Sequence, residues 1–229
     1  MKIRKELWFL AAMVIVLAGS ACTKDKATRD PTIRTRLSAY VEKDGKGTIY
    51  VTDLPGDTTA TPGAPGKDLY FSFTTNTTVD ATQKLTNNWD VAFVNIYNSY
   101  VTINNGTKQG TPGYGNSAVG ALYIVNLPFD SVKTVPDAAT VNVNGSAGMD
   151  GFPSASWPGW YQYNPSTHIM TVIQGKTFVI RLAGGKYAKL EMTTLYKGNP
   201  ASPSLTTPVP YFTVRYWVQQ DGSTNLRIP

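Results

Sequence analysis

From Asp68 to the C-terminus the sequence breaks into short runs of β-branched and aromatic residues, each closed by Gly, Pro, Asn or Asp. A helix would need apolar residues recurring every three to four positions. No stretch beyond residue 22 keeps that period. The 29 Thr and 13 Tyr suit a pleated surface better than a helix. Strands are expected at 69–74, 89–97, 100–104, 121–125, 140–143, 168–173, 177–182, 187–196 and 211–219. Many short strands with Gly/Pro/Asn turns predict an all-β chain, a single antiparallel β-sandwich or barrel-like domain. A weaker strand pair is expected within 37–51, turning at Asp44-Gly45-Lys46-Gly47, with a Pro/Gly/Thr-rich linker over 54–67.

Three connections are long and rich in Gly, Pro, Ser and Thr: 105–120, 144–159 and 198–210. Long loops on a rigid sheet are where binding residues concentrate, although each could equally be a tolerated insertion.

The N-terminus carries an address. Lys2, Arg4 and Lys5 precede the apolar run 7–18, and Gly19, Ser20 and Ala21 lead into Cys22, the only cysteine. A run of about a dozen apolar residues is short for ~30 Å of hydrocarbon and reads as a secretion signal. The segment resembles the lipobox of bacterial lipoproteins, in which the cysteine is lipidated and becomes the mature N-terminus; Gly19 stands where Leu is usual. Residues 1–21 are therefore expected as a signal peptide, 22–36 as a lipidated polar tether and 37–229 as one domain. The expected location is the outer membrane, lipid-anchored, on the surface or periplasmic face.

Composition narrows the function. Lys+Arg number 21 against 15 Asp+Glu, and removal of residues 1–21 leaves 18 basic and 14 acidic side chains. The basic residues are scattered, with no Lys/Arg cluster interleaved with aromatics, so nucleic acid is not an expected partner. One Cys and one His exclude disulfide frameworks and multi-Cys or His-rich metal centres. No Gly-x-Ser-x-Gly elbow, phosphate-binding glycine fingerprint or recognisable carboxylate pair is present, and the chain is read as non-catalytic.

Several motifs carry a family resemblance: Tyr70-Phe71-Ser72-Phe73, Asn88-Trp89-Asp90-Val91-Ala92-Phe93, Trp160-Tyr161-Gln162-Tyr163 and Phe178 to Glu191 with its Gly184-Gly185-Lys186-Tyr187-Ala188-Lys189-Leu190 core. Phe212 to Tyr216 and Asp221 to Asn225 close the pattern. In order and spacing, residues 68–226 resemble the HmuY family of haem-binding envelope lipoproteins. The resemblance implies an all-β domain that acts as a haemophore, holding haem b between two loops and passing it to an outer-membrane, TonB-dependent receptor. Read alone, the motifs are scaffold. Alternation places Trp89, Val91, Phe93 and Asn95 on one strand face and Asp90, Ala92, Val94 and Ile96 on the other. Gly184-Gly185 reads as a two-residue hairpin.

Haem iron takes His, Met, Cys or Tyr donors. The best-known member of the family uses two His, an arrangement that one His cannot reproduce. His168, in the region that supplies the family's second ligand, and Met149, nearest in order to the first, are the axial candidates. Met170 is two residues from His168 on an expected strand and points the same way, so those two cannot sandwich one iron. Trp157, Trp160, Tyr161, Tyr163 and Met170 are candidate pocket lining. The same aromatics suit a glycan or protein surface, so the alternative is the same β scaffold serving as an envelope interaction module without haem.

Overall fold

A computed structural model of the chain describes residues 33–60, 66–137, 145–152 and 154–229. Cys22, the signal segment and the strand expected at 140–143 lie outside them. Among the described residues no helix is long and apolar enough to cross a membrane.

The strands, in chain order, are β1 (Thr35–Arg36), β2 (Val41–Lys43), β3 (Ile49–Pro55), β4 (Leu69–Ser72), β5 (Thr77–Val79), β6 (Val91–Val94) and β7 (Tyr100–Ile103). They continue as β8 (Ala121–Val125), β9 (Ser146–Ala147), β10 (Tyr161–Asn164), β11 (Ile169–Val172), β12 (Thr177–Arg181), β13 (Tyr187–Thr194) and β14 (Tyr211–Val218). A seven-stranded sheet runs β1-β2-β3-β14-β13-β12-β8, and a five-stranded sheet runs β5-β4-β6-β7-β9. The two strands β10 and β11 form a separate hairpin. All of these pairings are antiparallel. The result is an all-β, sandwich-like fold and not a closed barrel.

The two large sheets are joined by side chains that alternate inward. Val91, Phe93, Val101 and Ile103 from the smaller sheet meet Leu122, Phe178, Ile180, Leu190 and Phe212 from the larger in one buried core. Two stacked ring pairs cross between the sheets: Phe73 on Tyr216 at 4.2 Å and Phe93 on Phe212 at 4.1 Å between centroids. A second cluster, around Phe129, Val179, Trp217 and Leu226, covers the outer face of the larger sheet. Central strands thus carry apolar residues on both faces, which is why their sequences read as nearly continuous runs.

Asp90 ties loop to loop within this frame. Its buried carboxylate accepts from the Phe73 N–H at 2.8 Å and the Ala183 N–H at 3.2 Å. Burial pushes its pKa up, against the pull of those N–H groups. Trp89 does not follow the expected alternation: it packs with Tyr70 and Ala92 while Val91 and Phe93 enter the main core, because β6 begins only at Val91. That strand also ends early, at Val94. Asn95, Tyr97 and Asn98 adopt φ of 68°, 51° and 51° and form a tight turn over Ile96–Asn98. The expected two-glycine hairpin contains one residue more: Leu182 N–H bonds Lys186 C=O around Ala183-Gly184-Gly185, with Gly185 at φ 90°.

Candidate functional site

A cleft of about 790 Å³ opens at one end of the sandwich. Four stretches of sequence build it: the turn from Asn95 to Tyr100, the Met149–Phe152 stretch, the β10–β11 hairpin with Tyr196 behind it, and the Ser204–Val209 stretch. Two of the three long loops read from the sequence therefore reach it. The third, 105–120, does not; it is closed on itself by Asn104, Asn105 and Asn116, whose side chains bond surrounding backbone and one another.

The hairpin is held from both sides. Trp160, just before β10, is 1% exposed, and its indole N–H donates to the Ser99 carbonyl at 2.9 Å. The Tyr161 hydroxyl lies 3.2 Å from the Ser99 hydroxyl, and the Trp160 and Tyr161 rings meet edge to face at 4.8 Å. Behind β11, the Tyr196 hydroxyl accepts from the Met170 N–H at 2.9 Å. Burial pushes the Tyr161, Tyr196 and Tyr100 phenols up, so all three stay protonated at neutral pH.

Met149 is placed by backbone pairing. It forms a parallel bridge with Tyr161, and the Asp150 N–H bonds the Tyr161 carbonyl at 2.8 Å. The next residue, Asp150, accepts from Lys176 Nζ at 2.6 Å and from the Gly159 N–H at 2.8 Å. Burial raises that carboxyl's pKa, but the lysine and the N–H outweigh it and hold the group below its usual range. Gly148, just before Met149, leaves room for the Tyr100 ring: a Cβ there would lie 2.6 Å from it, so the ring would have to shift to admit a side chain.

His168 occupies the last position of the turn Asn164-Pro165-Ser166-Thr167-His168. It is not the first residue of a strand, since β11 starts at Ile169. Its φ of 57° and its N–H bond to the Asn164 carbonyl at 2.8 Å close the turn. The expected sharing of one strand face by His168 and Met170 therefore does not hold. The imidazole Nδ1 lies 2.5 Å from the Tyr163 hydroxyl.

Of the residues singled out in the sequence, Met149, Tyr161, Tyr163, His168 and Met170 all line the cleft. Trp160 is instead a core residue beneath it, and Trp157 is half-buried in the adjoining loop, its carbonyl accepting from the Gly151 N–H at 2.9 Å. Sequence reading missed the opposite wall, Ile96, Tyr97 and Tyr100, together with Tyr196 and Leu205. Among its described residues the cleft presents five tyrosines and no Asp, Glu, Lys or Arg. The arrangement suits a largely apolar ligand and offers N, O and S donors at the wall.

No family model matches the chain, and no curated protein matches it. Among solved structures, one similar chain is a protein from Bacteroides vulgatus provisionally described as HmuY-like and haem-binding. It is 18% identical, with a TM-score of 0.40, over 80% of this chain and 94% of that one. Another, from Bacteroides fragilis and provisionally described as a lipoprotein, is 14% identical with a TM-score of 0.39, over 80% of this chain and 91% of that one.

Proposed function

We propose that this chain is a haem-binding lipoprotein of the cell envelope, non-catalytic, that captures haem for transfer to an outer-membrane receptor. The observation that supports it is convergence. The donors singled out by the sequence resemblance, Met149 and His168, line one cleft of about 790 Å³ together with Tyr161, Tyr163 and Met170, although they come from separate segments. That volume is in the range of cofactor sites, and the lining is aromatic and aliphatic with few polar groups.

The residues present fit the group. Met149 and His168 supply donors of the kinds iron accepts, and Tyr97, Tyr100 and Tyr161 offer ring faces and edges to a porphyrin. Bound haem would contribute a ferric centre that accepts donor atoms from the chain. The chain's own part is to hold the donors, through the Met149–Tyr161 bridge and the closed turn at His168, and to exclude water with its apolar wall. The chain's one cysteine is Cys22, so attachment inside the domain is non-covalent, as for haem b. Lipid on Cys22 would anchor the protein to the outer membrane. Cys22→Ser should abolish incorporation of labelled palmitate and release the protein from the membrane fraction.

Titration of residues 23–229 with haemin, followed at the Soret band, tests the reading. It requires a saturable shift at one haem per chain. A spectrum indistinguishable from free haemin would sink it and leave the glycan- or protein-interaction module as the alternative.

A further inference from the structure

We infer that the outer face of the larger sheet docks on the anionic phospholipid surface of the membrane that holds the chain, with a headgroup phosphate seated among Lys46, Lys133 and Arg215; this rests on the Cys22 anchor proposed above. Strand register builds that face. Arg36, Glu42, Tyr50, Arg215 and Glu191 are Cα partners in turn across β1, β2, β3, β14 and β13, so their side chains share one side of the sheet. Their neighbours Val41, Val51, Val214 and Leu190 point the other way, into the main core.

A trough of about 430 Å³ opens in this face. Its walls come from the Asp44–Thr48 turn and from Asp130 and Lys133, and its floor from Tyr50, Lys189 and Arg215. The carboxylates here are already engaged. Asp44 accepts from the Lys46 and Thr48 N–H groups at 2.9 and 2.8 Å and from the Tyr50 hydroxyl at 3.2 Å. Glu191 and Asp130 take the Arg215 Nε and Nη1 groups. The lysines are not matched in the same way. Lys189, fully buried, gives two of its three N–H donors to the Phe129 and Val132 carbonyls. Lys46 and Lys133 are exposed, and among the described residues their ammonium groups have no hydrogen-bond or ion-pair partner. An oxyanion with several acceptor oxygens suits such a set of donors.

This face also lies where the chain would leave the lipid. Arg34 sits over the Tyr50 ring at 3.5 Å, with Glu42 at 3.7 Å, and so joins the N-terminal segment to the trough. With Arg34 and Arg36 added, cations outnumber carboxylates on this face. Ten residues, 23–32, separate Cys22 from Ile33, and a chain of that length spans at most about 36 Å. Ile33, 67% exposed, and Leu37, 44% exposed, flank the two arginines with apolar side chains of the kind that enter the headgroup boundary. So short a tether makes docking an intramolecular event, and a modest surface then suffices. The cleft stays clear of the lipid. Val209, in its lining, lies close to Tyr211, which pairs with Pro55 at the end of β3, whereas Ile49, beside the Asp44–Thr48 turn, pairs with Tyr216.

The test is co-sedimentation of residues 23–229, which carry no lipid, with mixed phosphatidylglycerol–phosphatidylcholine vesicles and with phosphatidylcholine alone. Binding should favour the mixed vesicles by about tenfold or more and fall as salt is raised. Lys46→Glu together with Lys133→Glu, both at exposed positions, should remove most of that preference. Replacement of Lys24, Lys26 and Arg29 by Ser should weaken binding less. Binding that survives the first pair and disappears with the tether substitutions would overturn the docking face, as would equal binding to both vesicles. Calorimetric binding of inorganic phosphate without vesicle binding would also overturn it, leaving the trough a site for a free anion. Palmitate labelling of Cys22 tests the anchor separately, so either reading can fail without the other.

Discussion

The Trp160 indole N–H donates to the Ser99 carbonyl at 2.9 Å, and this bond fastens the β10–β11 hairpin to the opposite wall of the cleft. Ser99 is itself buried, so its carbonyl has no ready recourse to water. Trp160→Phe keeps an aromatic ring but removes the donor and part of the volume. It should cost about 2–4 kcal/mol in urea unfolding. Haemin affinity should fall with it, since the two walls would no longer be held in register.

Gly148 meets the Tyr100 ring where a side chain would need to be. Gly148→Ala should destabilise by about 1–3 kcal/mol through overpacking. The cycle with Tyr100→Ala discriminates cause: the second substitution should relieve much of the first, giving a coupling of about 1 kcal/mol or more. Additive effects would contradict the contact.

Lys189 is fully buried, and its Nζ donates to the carbonyls of Phe129 and Val132, both at 3.0 Å. Burial, reinforced by the nearby Lys133 charge, lowers its pKa from 10.5 to about 8. Above pH 8 the folded chain has given up this proton while the unfolded lysine keeps it to about 10.5. The unfolded state therefore binds more protons, and stability rises with pH across that window. Buried Tyr216, its phenol pushed up by burial, contributes the opposite slope above 10.0. Chemical unfolding between pH 8 and 10 should show the rise, and Lys189→Met should flatten it.

Much of the scaffold could be read from the residues alone. β8 was expected at its observed bounds, and β12, β13 and β14 within two residues, because each carries buried apolar residues on both faces. β10 was not recognised as a strand. Its Gln162, Tyr163 and Asn164 are exposed and, apart from the isolated Met149–Tyr161 bridge, it pairs with β11 alone among the described strands, so no buried face leaves a pattern in Tyr161-Gln162-Tyr163-Asn164. The expected strand 89–97 ran too long because left-handed backbone at Asn95 and Tyr97 leaves no mark in hydrophobic alternation. At the site, Met149, Tyr161, Tyr163, His168 and Met170 were legible through their donor chemistry and position in the motif. Ile96, Tyr97, Tyr100, Tyr196 and Leu205 were not, since only the packing of distant segments brings them to the cleft. The Tyr163–His168 contact needed the turn geometry, which places the two rings together across five positions.

The central claim is that haem occupies this cleft. The most direct measurement is amide chemical-shift mapping with gallium(III) protoporphyrin, a diamagnetic stand-in for haemin, on the chain from residue 23 onward. The account predicts a saturable set of shifts confined to residues 95–100, 149–152, 161–170, 196 and 204–209. Shifts centred elsewhere, such as around Lys133, Lys189 and Arg215 on the far face of the larger sheet, or no shifts at all, would contradict it.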